Sequence, residues 1–171
     1  MNRFRTGLLS CVAIVCCAPA LATDFGDRTP SVGELVEALQ PKLLSKGVGS
    51  GTASTKAAPS SAVMRIQFDI GSHRIREDSV QILANVATAL NDGRLEALPF
   101  TVLGHTDVTG SLVLNTRLSR QRADAVVSVL VERGVSPNRL VAQGKGPSDL
   151  LPKYPADSPM QRRVEVALRS K

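Results

Sequence analysis

From Val63 onward the chain alternates. Met64, Ile66 and Phe68 are apolar while Arg65 and Gln67 are polar, the two-residue period of a half-buried strand. Val80, Leu83, Ala87 and Leu90 then recur at helical spacing, and Asn91-Asp92-Gly93 supplies a stop. Phe100 to Gly104 predicts a second strand, Leu112 to Arg133 a long helix closed by Gly134, and Leu140 to Gln143 a third strand. Val164, Val166 and Leu168 alternate again and predict a fourth. The fold class expected is α/β, an α+β two-layer sandwich: a mixed four-stranded sheet, β-α-β-α-β-β along the chain, with its helices packed on one face. The Pro-, Lys- and Ser-rich stretch between Gly144 and Arg162 fits no periodic element.

Upstream the pattern thins. Ser31 to Gln40 reads as one short helix, opened by a capping box of Ser31 and Glu34 and stopped by Pro41. Residues 45–62 are dominated by Gly, Ser, Ala and Thr, a composition that buries too little apolar surface to order itself and predicts a flexible linker. The division expected is therefore a short N-terminal helical segment at 23–44, a linker at 45–62 and one domain at 63–171. Residues 1–22 carry the pattern of a secretory signal peptide: basic Arg3 and Arg5, an apolar run from Gly7 to Cys17, and Ala20-Leu21-Ala22 before the cleavage point. The run is short of the ~20 residues of a spanning helix. An uncleaved anchor, or acyl chains on Cys16 or Cys17, are the alternatives; Val15 stands before Cys16 where lipid attachment prefers a small residue.

Composition narrows the chemistry. Cys11, Cys16 and Cys17 are the chain's three cysteines, so a chain cleaved after Ala22 has no thiol for a disulfide, a metal or a nucleophile. Loss of Arg3 and Arg5 leaves 19 basic residues against 15 acidic and lowers the formal charge from +6 to +4. With one Tyr, no Trp and dispersed basic residues, the chain lacks the clustered charge and stacking aromatics of a nucleic-acid binder. His73 and His105, without cysteines, supply too few ligands for a structural zinc site. No metal, cofactor or nucleic acid is expected.

The long helix carries the sharpest chemical signal. Counting roughly 100° per residue from Leu114, its Ala125, Leu118, Val129, Val126 and Leu130 span an apolar arc, and Arg122 and Asn115 fall at about 80° and 100° within it. A guanidinium on an apolar face needs an anionic partner or a polar ligand, because a buried unpaired charge is costly. Asp107, in the turn leading into this helix, is the nearest candidate. Spacing allows two readings, a structural ion pair between Asp107 and Arg122 or a site for a zwitterion. In the second, Asp107 meets an ammonium group, Arg122 grips a carboxylate and Asn115 orients the ligand.

Taken as a set, Gly104-His105-Thr106-Asp107, Asn115, Leu118-Ser119, Arg122-Ala123 and Arg162-Arg163-Val164-Glu165 resemble the OmpA-like peptidoglycan-binding domain. That family includes the C-terminal domain of OmpA, the Pal lipoprotein and the flagellar stator protein MotB. The resemblance covers about Val63 to Lys171. It implies that Asp107 of the Thr106-Asp107 pair and Arg122 of the Arg-Ala pair hold the diaminopimelate of the peptidoglycan stem peptide, with Asn115 on the same helix. Phe68-Asp69-Ile70-Gly71-Ser72 looks like the family's opening strand and loop, which makes Asp69 a secondary contact. Arg163 either lines the second side of the pocket or pairs on the strand surface. The sequence departs from the family at Leu114, where a Tyr is frequent, and at Gln161, where Asn often precedes the paired arginines.

The function implied is non-covalent binding of peptidoglycan that tethers an envelope component to the cell wall. It would act in the periplasm or on the periplasmic face of the outer membrane, with an envelope protein as a further partner through residues 23–44. A protein-interaction module of an envelope complex, independent of the wall, is the alternative. An enzyme is not expected: nothing sets Asp107 and Glu165 at the spacing of a glycosidase pair, and Gly144-Lys145-Gly146 lacks the rest of a phosphate loop.

Overall fold

In the computed structural model, which describes residues 21–41 and 60–169, the alternating positions pair into one sheet. Along the chain lie β1 (Leu21–Asp24), α1 (Val32–Leu39), β2 (Ser60–Met64), α2 (Val80–Leu90), β3 (Phe100–His105), α3 (Leu112–Glu132), β4 (Leu140–Gly146) and β5 (Val164–Leu168). The strand order is β1-β2-β5-β3-β4. β1 runs parallel to β2 and β3 parallel to β4, while β5 is antiparallel to both of its neighbours, β2 and β3. The sheet is mixed, as expected, and has a fifth strand.

Register explains the core. Ala62, Val166, Val102 and Ala142 form one cross-strand row, and Met64, Val164, Gly104 and Gly144 the next. The apolar members of both rows are buried against Leu35, Leu39, Leu83, Val86, Leu90, Val126 and Leu130 of the three helices. Burying one such leucine contributes about 1.5–3 kcal/mol.

Helix α3 sits unusually close to the sheet at the second row. A Cβ on Gly144 would lie 2.5 Å from the Arg120 amide nitrogen and 2.7 Å from the Ser119 hydroxyl, and one on Gly104 would collide with the Ser119 carbonyl. Ser119 uses this closeness, accepting from the Gly146 N–H at 2.9 Å and donating to the Thr116 carbonyl at 2.8 Å. The buried stripe of α3 is therefore Ser119, Arg122, Ala123, Val126 and Leu130. It is turned toward Ser119 from the arc expected, and Leu114, the origin of that arc, is 63% exposed.

Three expectations change at the N-terminal side. β1 was read as the end of a leader and the start of a helical segment; four residues, Leu-Ala-Thr-Asp, are too few to show a period. β2 starts at Ser60, so residues 60–62 belong to the sheet rather than to a linker, and it ends at Met64. Phe68 instead makes an isolated antiparallel bridge with Ile75. Helix α1 has its capping box, but Leu35, Val36 and Leu39 are fully buried in the core. Its apolar face is thus packed inside the domain rather than carried on a separate helical segment at 23–44. Ser60 also donates to the Gln40 carbonyl at 2.6 Å, bringing together the ends of the stretch between α1 and β2. The leader expected at 1–22, apart from the β1 residues, and the linker up to residue 59 lie outside the described residues.

The stretch between β4 and β5 is held by one amide. Gln161, buried, accepts from the Leu151 N–H and donates to the carbonyls of Leu151, Tyr154 and Pro155 at 2.8–3.1 Å.

Candidate functional site

β2 and β3 end beside the start of β5, and the segments leaving them enclose a cleft of about 130 Å³. Four arginines line it, Arg65, Arg122, Arg162 and Arg163, together with Phe68 and His105. Their origins are different: Arg65 follows β2, Arg122 comes from α3, and Arg162 and Arg163 precede β5.

Arg122 is 8% exposed. Its Nε–H donates to the Ser72 carbonyl at 3.1 Å, and its guanidinium stacks 4.8 Å above the Phe68 ring. Burial pushes its pKa down from the usual value, as does the charge of Arg162, and Asp107 opposes them. A cation under that pressure is stabilised by an arriving anion.

Of the two readings open for Asp107 and Arg122, the structural ion pair is not formed. Asp107 Oδ2 accepts from Arg162 at 2.6 Å, and Oδ1 accepts from the Thr109 N–H at 3.0 Å. The cause is the chain's path: the β3–α3 turn brings Asp107 alongside the segment leading into β5, while Arg122 lies nearly three turns into α3 and leans toward Phe68. Among the described residues Arg122 has no carboxylate partner at ion-pair distance. Asn115 Nδ2 donates to the Asp107 and Thr109 carbonyls at 3.3 and 2.9 Å, fastening the turn.

The remaining expected residues divide. Thr106 is buried with its hydroxyl unpartnered among the described residues. Arg163 is 4% exposed, which excludes the surface-pairing alternative; it donates to the carbonyls of Gln161 and Asp149 at 3.3 and 2.9 Å, and its Nε has no partner among the described residues. Asp107, Asn115 and Thr106 stand beside the cleft rather than in its lining, and so does Asp69, whose carboxylate is exposed and 3.8 Å from Arg74. It reaches the site only through its loop, whose Ser72 carbonyl holds Arg122.

Sequence reasoning gave no role in the site to Arg65, Arg162, Phe68 or His105. Arg162 carried a visible signal, an arginine doublet immediately before an alternating strand. Arg65 carried a false one, since its polar position was assigned to a strand that ends one residue earlier. His105 ends β3 with both ring nitrogens unpartnered among the described residues. Burial first, then the charges of Arg163 and Lys145, push its pKa down from 6.5 to about 3, so at neutral pH its 3.8 Å approach to Glu165 is not an ion pair.

Comparison with known proteins follows this geometry. The OmpA family model matches residues 67–163. The chain is 34% identical over 142 residues to the probable lipoprotein YiaD of Escherichia coli strain K12, covering 80% of this chain and 64% of that protein. To the peptidoglycan-associated lipoprotein of Brucella melitensis it is 35% identical over 97 residues, covering 55% of this chain and 56% of the other. The chain spans less than two thirds of the length of these curated relatives. Among solved structures, the periplasmic domain of Helicobacter pylori MotB superposes with a TM-score of 0.56 at 24% identity, over 64% of this chain and 81% of that one. The OmpA-like domain of FopA1 from Francisella tularensis gives 0.56 at 19% identity, over 65% and 76%. Both likenesses show the fold.

Proposed function

Because this chain belongs to the OmpA family, we propose that it binds peptidoglycan without covalent chemistry, through the diaminopimelate of the stem peptide, and so tethers an envelope component to the wall. The single observation that carries the reading is Arg122: buried, stacked on Phe68, held by a backbone carbonyl and free of any carboxylate among the described residues. Such a guanidinium offers a bidentate face to a ligand carboxylate. Asp107, shared with Arg162, receives the ligand's ammonium group, and Asn115 holds the turn that aims it. The unpartnered Thr106 hydroxyl and Arg163 Nε supply further polar contacts; Asp69 contributes through the placement of its loop. The protein acts by binding rather than catalysis, in the periplasm or on the periplasmic face of the outer membrane, after loss of its leader.

Co-sedimentation of the purified protein with insoluble sacculi tests this. Wild type is expected in the pellet, and Asp107→Ala and Arg122→Ala in the supernatant. Equal pelleting of all three, or none of wild type, would overturn it. The mass of the protein's N-terminus from envelope preparations decides between cleaved, acylated and anchored forms.

A second reading has its own ground. Val108, Leu112, Val113 and Leu114 are all exposed around the start of α3, a run of apolar side chains suited to a protein partner of the envelope. Pull-down from envelope extracts before and after digestion of the wall separates the two: a partner retained after digestion belongs to this reading.

A further inference from the structure

Arg65 lies outside the residues matched by the family model, yet it forms a wall of the cleft. It is held there by a part of the chain equally outside that match. Asp27, in the turn between β1 and α1, meets Arg65 Nη1 with Oδ1 at 2.9 Å and Oδ2 at 3.0 Å, and the Met160 sulfur touches the same nitrogen. Nε and Nη2 of Arg65 have no partner among the described residues, so one edge of the guanidinium is anchored and the other is open.

Charge in the cleft is unbalanced. Of its four guanidiniums, Arg65 and Arg162 each have one carboxylate, Asp27 and Asp107. Arg122 and Arg163 are held by backbone carbonyls alone. A ligand with a single carboxylate balances one of these two charges; a ligand with two balances both. Buried polar groups also await a partner on the same side: the Arg163 Nε and both nitrogens of His105, each residue more than nine-tenths buried.

We propose that Arg65, positioned by Asp27, is a second carboxylate-binding arm of the cleft, working beside Arg163, so that the site selects a stem peptide whose diamino acid carries two free carboxylates. The inference rests on the wall-binding reading and deepens it. The carboxylate on the carbon that bears the free amine meets Arg122 over Phe68 while that amine meets Asp107, and the main-chain carboxylate at the peptide's end meets Arg65 and Arg163. Masking either carboxylate as an amide removes a charge and turns an NH2 group toward a guanidinium, setting donor against donor.

The test is calorimetric titration of the full chain with two soluble muramyl tripeptides ending in diaminopimelate, one with both carboxylates free and one amidated on the main-chain carboxylate. Wild type is expected to prefer the free form at least tenfold. Arg65→Gln should reduce that preference to about twofold or less, by weakening the free form and sparing the amidated one. Asp27→Asn should narrow it partially and Asp27→Glu restore it, an outcome a merely structural role would not give, since lost stability would lower both affinities together. Thermal unfolding of each variant confirms the fold. Equal binding of the two peptides by wild type would overturn the inference, as would an Arg65→Gln variant that changes both affinities alike or neither. Sacculus binding without tripeptide binding would overturn it while leaving the wall reading in place; loss of both would overturn the two together.

Discussion

Arg162, in the cleft lining, donates to the Asp107 carboxylate at 2.6 Å, joining the turn after β3 to the segment before β5. The pair is half in solvent, since the Arg162 side chain is 46% exposed. An arriving ammonium group therefore shares Asp107 with a guanidinium that can swing outward.

That sharing predicts unequal effects. Asp107→Asn removes the one carboxylate available to the amine and is expected to weaken stem-peptide binding about tenfold or more, the scale of a lost charge-assisted hydrogen bond. Arg162→Gln frees the carboxylate and should weaken binding less. Titration with a diaminopimelate tripeptide measures both; a greater loss in Arg162→Gln would show that Asp107 serves Arg162 rather than the ligand.

Arg122→Lys keeps the charge but loses the planar fork and the face that stacks on Phe68. Binding is expected to fall at least tenfold with the unfolding midpoint nearly unchanged. Retained affinity would mean that charge alone suffices at this position.

His105 predicts a pH dependence. Its pKa falls from 6.5 to about 3 in the fold, because burial opposes the charged form and Arg163 and Lys145 add to the effect. Below pH 6.5 the unfolded chain takes up a proton at this residue and the folded chain does not. The contribution is complete above pH 6.5 and is lost toward pH 3, at up to about 1.4 kcal/mol per pH unit. Urea unfolding from pH 7 to 4 should show this slope, and His105→Gln should flatten it.

Gly144→Ala should destabilise the fold by about 1–3 kcal/mol, the usual range for forced overpacking. Its Cβ would meet the backbone of Arg120, which cannot rotate aside. The urea midpoint reads the cost, and an unchanged midpoint would show that α3 can ride outward freely.

Removing residues 21–41 should unfold the domain rather than release an accessory. Leu35, Val36 and Leu39 are fully buried against α2 and the sheet. Leu39→Ala alone is expected to cost about 2–5 kcal/mol. Circular dichroism of the shortened chain checks this; a cooperative transition at the wild-type midpoint would restore the reading of an independent N-terminal segment.

The legible part of the fold was its periodic part. β5 and α2 fall where Val164, Val166, Leu168 and Val80 to Leu90 place them, and the six expected elements from residue 63 onward are all present. Periodicity failed where contact is made by small residues. Ser119, Gly104 and Gly144 have little hydrophobicity to register, yet they set how closely α3 approaches the sheet and thereby which way its face turns. At the site, Arg122 was legible because a charge on an apolar arc demands explanation. The partner of Asp107 was not, since Arg162 is 55 positions away in sequence and reaches it only through the path of the loop that Gln161 organises.

One small bond changes how the middle of the chain is used. Because Ser60 donates to the Gln40 carbonyl, the residues that flank 42–59 on either side are held next to each other. A segment with fixed, adjacent ends does not set a reach between two bodies; its length enters only as closure entropy, about 0.6 kcal/mol for each doubling. That makes it a natural socket for an inserted fluorophore, epitope or whole domain, whose length costs the fold little.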